Sequence, residues 1–208
     1  MPLISRNEYD AYSIALWNVD EDEGTLLSMI SNRDEYSDEL QKIKSAFRRK
    51  EWLAVRVLLD SMAKGEKIEY RASGSPYLKS GNYNISISHT ASFVSIILSK
   101  DKRVAIDIEK YGERVAKVIS KFVSEYEQIT SYRGNEFWSM LLHWSAKETA
   151  FKIIDTQNVD LKKDLLIYPF VVAEKGELLL KEKKSDKQEI LLIYYQLFDN
   201  FVMTWTVK

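Results

Sequence analysis

Cysteine is absent from the 208-residue chain, and proline, glycine and histidine are scarce, with three, seven and two residues respectively. The absence of cysteine excludes disulfide bonds, thiolate zinc sites and cysteine nucleophiles. Long apolar runs are also missing, since no stretch approaches the roughly 20 residues that span a bilayer, and the first residues lack the basic and apolar regions of a signal peptide. We therefore expect a soluble cytoplasmic protein that does not bind membranes.

Net charge is almost absent too, because 30 lysines and arginines oppose 31 aspartates and glutamates, which leaves a formal charge of −1. Without a basic field we expect no binding of nucleic acid, and any anion site must come from a local cluster of charges. Apolar residues make up 45% of the chain. That fraction can bury the core of one large domain or of two halves of about 100 residues each.

A short acidic stretch, residues 104–109 (Val-Ala-Ile-Asp-Ile-Glu), stands out within this composition. Its apolar residues predict a buried strand, and strand side chains alternate, so Asp107 and Glu109 lie side by side on the face of Ala105. The other face is apolar and is expected to point into a core: Val104, Ile106 and Ile108. Neighbouring carboxylates repel each other unless a cation or a proton lies between them. The stretch therefore predicts a metal ion, with a simple strand-end turn as the alternative.

Hydrophobic periodicity predicts the remaining elements of the first half. We expect a strand at residues 12–19, a short helix at 20–30, a long amphipathic helix, continuous or interrupted, at 34–62, extended pieces at 68–71 and 76–78, and strands at 83–88 and 93–98. The last two strands and the acidic strand are expected to form an antiparallel meander. His89 then lies just past a strand end.

The same periodicity predicts the elements of the second half. We expect helices at residues 115–126 and 136–154, then β-hairpins at 169–181 around Lys175-Gly176 and at 188–207 around Asp199-Asn200. Isolated hairpins need a packing partner, which the two helices can supply. A boundary near Arg103 divides the chain into residues 1–103 and 104–208, so we predict an α+β protein with two such halves.

Charged side chains follow one stripe of the first long helix. Lys42, Arg49 and Arg56 are seven residues apart, which places them on the same side of the helix, close to Arg48. The stripe predicts either an anion site or a solvated face whose charges are balanced by local acids.

Glu148 and Lys152 lie one turn apart on the predicted helix 136–154, in one stripe with Ser145. An exposed ion pair is the commonplace interpretation of this spacing, but the helix is apolar nearly all round, which indicates a buried helix. His89 is also open to two interpretations, an anion ligand or a buried histidine with satisfied hydrogen bonds. His143 has no evident role.

Three stretches together resemble the 4'-phosphopantetheinyl transferase superfamily in their order and spacing. They are Asn-Ile-Ser-Ile-Ser-His-Thr at 84–90, Ala-Ile-Asp-Ile-Glu at 105–109 and Trp-Ser-Ala-Lys-Glu-Thr-Ala-Phe-Lys at 144–152. The resemblance covers residues 48–152 and is to the larger, monomeric type, which modifies carrier proteins of fatty-acid, polyketide and nonribosomal-peptide synthesis. It implies a pseudo-dimer of two similar α+β halves with the active site in the cleft between them.

The resemblance also implies a reaction and a metal site. The phosphopantetheine arm of coenzyme A is moved to a serine of an apo acyl or peptidyl carrier protein, and 3',5'-ADP is released. By matching position, Asp107, Glu109 and Glu148 would hold Mg²⁺, which prefers oxygen ligands. Glu148 would also act as the general base that takes the serine proton. Lys152 would neutralise the charge that develops on the leaving phosphate.

Binding residues for coenzyme A follow from the same resemblance. Its phosphates would be bound by Ser88 and His89, with the assistance of Thr90, and its 3'-phosphate by an arginine of the basic helix: Arg48, Arg49 or Arg56. One departure is Ser75, because many members carry Gly-Lys-Pro where this chain has Gly-Ser-Pro at 74–76. The loss of that lysine leaves an alternative open, a module of the same fold that binds coenzyme A or a nucleotide without transferase activity.

The acceptor surface implied by the resemblance is residues 114–132. Carrier proteins are typically acidic around their serine, so Arg114, Lys117 and Lys121 are predicted to steer docking. A solvated helix face explains the same three residues.

Overall fold

The computed structural model describes residues 3–31, 33–154, 156 and 158–208. Contacts between residues divide the chain into two units, Met1–Arg103 and Val104–Lys208. Each unit combines an antiparallel sheet with helices. The predicted α+β class is confirmed.

The first unit is built on a four-stranded antiparallel sheet in the order β1-β2-β6-β5. Its strands are β1 (Leu3–Glu8), β2 (Ser13–Asn18), β5 (Asn84–Thr90) and β6 (Phe93–Ser99), and a separate pair is formed by β3 (Ile68–Tyr70) and β4 (Pro76–Leu78). Its helices are α1 (Glu23–Met29), a 3₁₀ turn (Arg33–Tyr36), α2 (Ser37–Lys42) and α3 (Ala46–Met62).

The predicted helix at 34–62 is interrupted, and the interruption has a local cause. Ser45 caps α3, since its Oγ accepts a hydrogen bond from the backbone nitrogen of Arg48 at 3.4 Å. The apolar face of α3, with Leu53, Leu58 and Leu59 at its centre, packs into the core of the first unit beside β6. The charged residues of the helix differ in burial, since Arg48 is exposed and Arg49 half-buried, whereas Glu51 and Arg56 are buried.

The second unit is built on a five-stranded antiparallel sheet in the order β7-β11-β10-β9-β8. Its strands are β7 (Val104–Lys110), β8 (Leu165–Ile167), β9 (Lys175–Glu182), β10 (Ile190–Leu197) and β11 (Phe201–Val207). A 3₁₀ helix (Glu113–Lys121) and the helix α4 (Phe137–Ile153) complete it. Of the helices in the described ranges, none has both the length and the apolar character needed to cross a membrane.

The predicted meander is wrong, because β7 belongs to a different sheet from β5 and β6. The second edge of β6 is occupied by β2, and β7 pairs instead with β11. The position of His89 also differs from the prediction, since pairing between β5 and β6 continues to Thr90 and places His89 within the strand.

The predicted hairpin at 169–181 is also wrong, whereas the hairpin at 188–207 is confirmed. Lys175 and Gly176 open β9 instead of forming a turn. Glycine is required there because the ring of Tyr195 lies against the backbone, and a Cβ at Gly176 would stand 2.7 Å from the Tyr195 hydroxyl. The helix expected at 115–126 is a 3₁₀ helix that ends at Lys121.

Both faces of β7 are buried, which the alternation pattern only half predicted. The expected apolar face is inaccessible, at Val104, Ile106 and Ile108. The face that carries Ala105 and the two acids is covered as well, because α4 packs on it, so that Ala105 and Asp107 are buried and Glu109 is half-buried. The carboxylates of β7 therefore lie against a helix.

Candidate functional site

Asp107 is the best-connected acid of β7. It is 4% exposed, and its Oδ1 accepts a hydrogen bond from Lys152 Nζ at 2.8 Å, while its Oδ2 accepts one from Ser145 Oγ at 2.8 Å. Lys152 Nζ also donates to the Ile106 carbonyl at 2.8 Å. Ser145 and Lys152, about two turns apart on α4, thus supply a hydroxyl and a cation to a single carboxylate on the strand.

Glu109, two residues further along β7, is held by an indole. Trp144 Nε1 donates a hydrogen bond to its Oε1 at 2.8 Å. Burial, together with the charges of Asp107 and Glu148, raises the pKa of Glu109 to about 7, although the Trp144 hydrogen bond and Lys152 act in the opposite direction. Glu109 therefore carries a proton for part of the time at neutral pH unless a cation is brought to it.

Glu148 projects from α4 towards the same charges. Its carboxylate makes no hydrogen bond or ion pair with the residues that the structure describes, and the exposed pair with Lys152 that the spacing allowed is not formed, since Lys152 pairs with Asp107. Burial, and then the charge of Asp107, raises the pKa of Glu148, an effect that Lys152 reduces. Three carboxylates thus share one region with a single lysine.

The residue types in this region suit Mg²⁺. Three carboxylates offer only oxygen ligands, and their mutual repulsion is what a divalent cation would relieve. Across the described part of the chain, however, no three acids or histidines are grouped closely enough to hold a metal ion as they stand. The positive charge beside Asp107 is that of Lys152, at 2.8 Å.

Helix α4 is fixed in place by buried polar contacts with β11. Thr204 Oγ1 lies 2.9 Å from Ser145 Oγ and 2.6 Å from Thr149 Oγ1, and all three side chains are fully buried. Because a buried hydroxyl without a partner is costly, these bonds fix the rotation of the helix relative to the sheet. They orient the side of α4 that carries the charged residues.

Lys147, which the sequence analysis left without a role, is a second anchor of α4. Its amine is fully buried and contacts the carboxylate of Glu127 at 2.8 Å and the Phe122 carbonyl at 2.5 Å. Burial lowers the pKa of Lys147, and Glu127 opposes that change. A lysine on an otherwise apolar helix is a signal for such a buried acid, but its partner lies 20 residues away in a loop and cannot be identified from spacing.

His143 is a structural residue of the same helix. It is 1% exposed, its Nδ1 donates to the Ser139 carbonyl at 2.8 Å, and its ring packs near Phe170. Burial lowers the pKa of His143, so the ring is held neutral.

The predicted phosphate-binding residues lie on β5 in the first unit. Side chains alternate along the strand, so buried Ser88 and half-buried Thr90 share one face, while His89 lies on the other. His89 has a 40% exposed side chain, and its Nδ1 is 3.1 Å from Glu51 Oε1 on α3.

The three candidate arginines have different surroundings. Arg48 has a 61% exposed side chain and contacts Glu51 at 2.9 Å. Arg49 is bound to Glu23 at 2.9 Å and to the Ile43 carbonyl at 3.0 Å. Arg56 is buried, with its guanidinium 3.2 Å from the centre of the Trp52 ring. Arg48 is therefore the most accessible of the three and the one that shares an acid with His89.

The residues predicted to act together are thus found in two groups. Asp107, Glu109, Glu148 and Lys152 are brought together in the second unit, whereas Arg48 and His89 are brought together in the first. Ser75 lies in the exposed turn between β3 and β4, with its hydroxyl 2.9 Å from that of Ser73.

Comparison with the models of known protein families found no match, and none of the curated proteins compared with the chain has a similar sequence.

Proposed function

We propose that this chain is a Mg²⁺-dependent 4'-phosphopantetheinyl transferase that acts on coenzyme A and an apo acyl or peptidyl carrier protein. One observation carries the proposal: two acids of β7 meet Trp144, Ser145 and Lys152 of α4, which lie 35 to 45 residues further along the chain. Two of the three stretches that bear the sequence resemblance, 105–109 and 144–152, are thus spatial neighbours. A chance resemblance of separate segments does not require that.

The metal would be held by Asp107, Glu109 and Glu148. When bound, Mg²⁺ would neutralise these acids and polarise the phosphorus atom under attack. The raised pKa values of Glu109 and Glu148 favour such a role, because a carboxylate that is costly to ionise alone gains most from a nearby cation.

Glu148 acts as the general base of the proposed reaction. Its carboxylate has no hydrogen-bond partner within the described residues, so it is available to take the proton of the acceptor serine, directly or through a water molecule. Its raised pKa makes it a stronger base than an ordinary surface glutamate.

Lys152 supplies positive charge for the leaving group. Its amine lies 2.8 Å from Asp107, and its side chain is 26% exposed, so the charge can be reached from solvent. A cation at that point stabilises the negative charge that develops on the departing phosphate.

Coenzyme A would be bound through residues of the first unit, His89 and Arg48 foremost, with Ser88 and Thr90. The resembling family binds its substrate in a cleft between two similar halves, and the proposal carries that pseudo-dimeric arrangement over to this chain. Arg114, Lys117 and Lys121 are exposed on the 3₁₀ helix and would meet the acidic surface of the carrier protein.

The test is the mass of an apo carrier protein after incubation with the purified protein, Mg²⁺ and coenzyme A. We expect the mass to increase by one phosphopantetheine group, and we expect no increase with Glu148→Gln. If calorimetry shows binding of coenzyme A while a panel of acyl and peptidyl carrier proteins keeps its mass, the chain is a binding module and the proposed activity is wrong.

A further inference from the structure

Glu51 of α3 is a buried acid that holds two more exposed basic side chains. Its Oε1 lies 3.1 Å from His89 Nδ1 on β5, and its Oε2 lies 2.9 Å from Arg48 Nη1 on its own helix. The side chain of Glu51 is 10% exposed, compared with 61% for Arg48 and 40% for His89. The acid is therefore directed inwards while both of its partners reach the surface.

Burial of a carboxylate is costly unless its oxygens are paired, and Glu51 uses one oxygen for each partner. A purely structural ion pair would need only one of these contacts. The contact between Glu51 and His89 joins α3 to β5. Together with the contact between Glu51 and Arg48, it fixes the ring of His89 relative to the guanidinium of Arg48.

We propose that Glu51 is a positioning residue for an anion site formed by Arg48 and His89. The carboxylate accepts the Nδ1 hydrogen of His89, so the Nε2 hydrogen of the protonated ring is the donor that remains for an anion. It also holds Arg48, whose donors suit phosphate oxygens. The inference rests on the proposed function in one respect, which is that it takes the anion to be a phosphate of coenzyme A.

A positioning role for Glu51 and a purely electrostatic effect of its charge predict opposite changes in phosphate affinity when Glu51 is replaced. Removal of a negative charge near a phosphate would strengthen its binding if only Coulomb attraction mattered. If Glu51 orients the two donors, its loss frees them to adopt separate rotamers, and phosphate binding becomes weaker because that freedom is lost again on binding.

The deciding variant is Glu51→Gln, which keeps the size of the side chain but leaves one acceptor for two donors. We expect KM for coenzyme A to increase about tenfold, as for the loss of one charge-assisted hydrogen bond, while kcat stays within about twofold. Glu8→Gln is the matched control, because it removes one acid from an exposed pair with Arg6 in the same unit. The control should leave both constants unchanged.

A readout that does not need turnover separates this inference from the proposed function. The chain has two histidines, so the ¹⁵N spectrum of the imidazoles contains His89 together with buried His143 as an internal test of folding. Inorganic phosphate should shift the His89 signals in the wild type at a lower concentration than in Glu51→Gln, and the His143 signals should not move.

Each outcome then has one meaning. If the wild type transfers phosphopantetheine but Glu51→Gln keeps or lowers KM for coenzyme A, the positioning role is wrong and the proposed function stands. If there is no transfer but phosphate shifts His89 in the expected order, the positioning role stands and the proposed function fails. If the His89 signals do not respond to phosphate, the inference is overturned. Should Glu51→Gln not fold, Glu51→Asp, which retains the charge on a shorter side chain, must give the same increase in KM.

Discussion

Glu109 makes the stability of the protein depend on pH with a sign opposite to that of a carboxylate in a salt bridge. Its pKa rises from 4.5 to about 7 on folding, so the folded protein holds this proton more tightly than the unfolded chain. The cost of ionising Glu109 is absent below pH 4.5, grows between 4.5 and about 7, and is complete above that range. Stability due to this group is therefore lost as the pH rises.

The size of the effect follows from the shift. One pKa unit is equivalent to about 1.4 kcal/mol, so the shift corresponds to roughly 3 kcal/mol. Glu109→Gln removes the charge at every pH and retains an oxygen that can accept the hydrogen bond from Trp144. We expect the variant to match the wild type at pH 4.5 and to exceed its free energy of unfolding by up to roughly 3 kcal/mol at pH 8.

Urea unfolding in metal-free buffer, followed by tryptophan fluorescence between pH 4.5 and 8, measures this difference. Titrating groups that do not interact with Glu109 contribute equally to both proteins and cancel, so the difference reports Glu109 together with its coupled neighbours Asp107, Glu148 and Lys152. Glu125→Gln, which changes an exposed acid of the same unit, should give a difference that does not vary with pH. A difference for Glu109→Gln that is likewise constant across the range would refute the reasoning.

Three further variants test other parts of the structure. Asp107→Asn should lower kcat at least 100-fold, measured as the rate of carrier-protein modification, with an unchanged circular dichroism spectrum, because it weakens both the proposed metal site and the contact with Lys152; near-normal turnover would contradict the proposed site. Lys147→Met should destabilise the protein by about 3 to 5 kcal/mol in urea, since Glu127 is left buried and unpaired, and Lys147→Met combined with Glu127→Gln should recover most of that loss. Gly176→Ala should cost about 1 to 3 kcal/mol in a thermal unfolding experiment because the added methyl meets the Tyr195 ring; a neutral effect would show that the ring can move aside.

The local pattern predicted much of what surrounds the site. The helix expected at 136–154 is α4, and β7 is the buried strand expected at 104–109. Both predictions rest on periodicity within one segment, which side-chain burial imposes directly. The break before Ala46 was left open, because a serine cap competes with a continuous apolar stripe.

Pairing between distant segments could not be predicted in the same way. Adjacent strands usually pair, and that tendency led to the wrong meander, since nothing within β7 indicates that its partner is β11. The contacts of Glu51 and Lys147 have the same character. Each is a charged residue on a helix whose partner comes from another element, His89 or Glu127, so the need for a partner is visible in the sequence but its identity is not.

The most direct test of the central claim is to follow both products of one reaction. With Mg²⁺ and coenzyme A, the wild-type protein should add one phosphopantetheine group to an apo carrier protein and release one equivalent of 3',5'-ADP. Chelation of the metal or the Glu148→Gln substitution should stop both. The account is contradicted if 3',5'-ADP appears without modification of the carrier protein, or if the carrier protein is modified equally well when Glu148 is replaced.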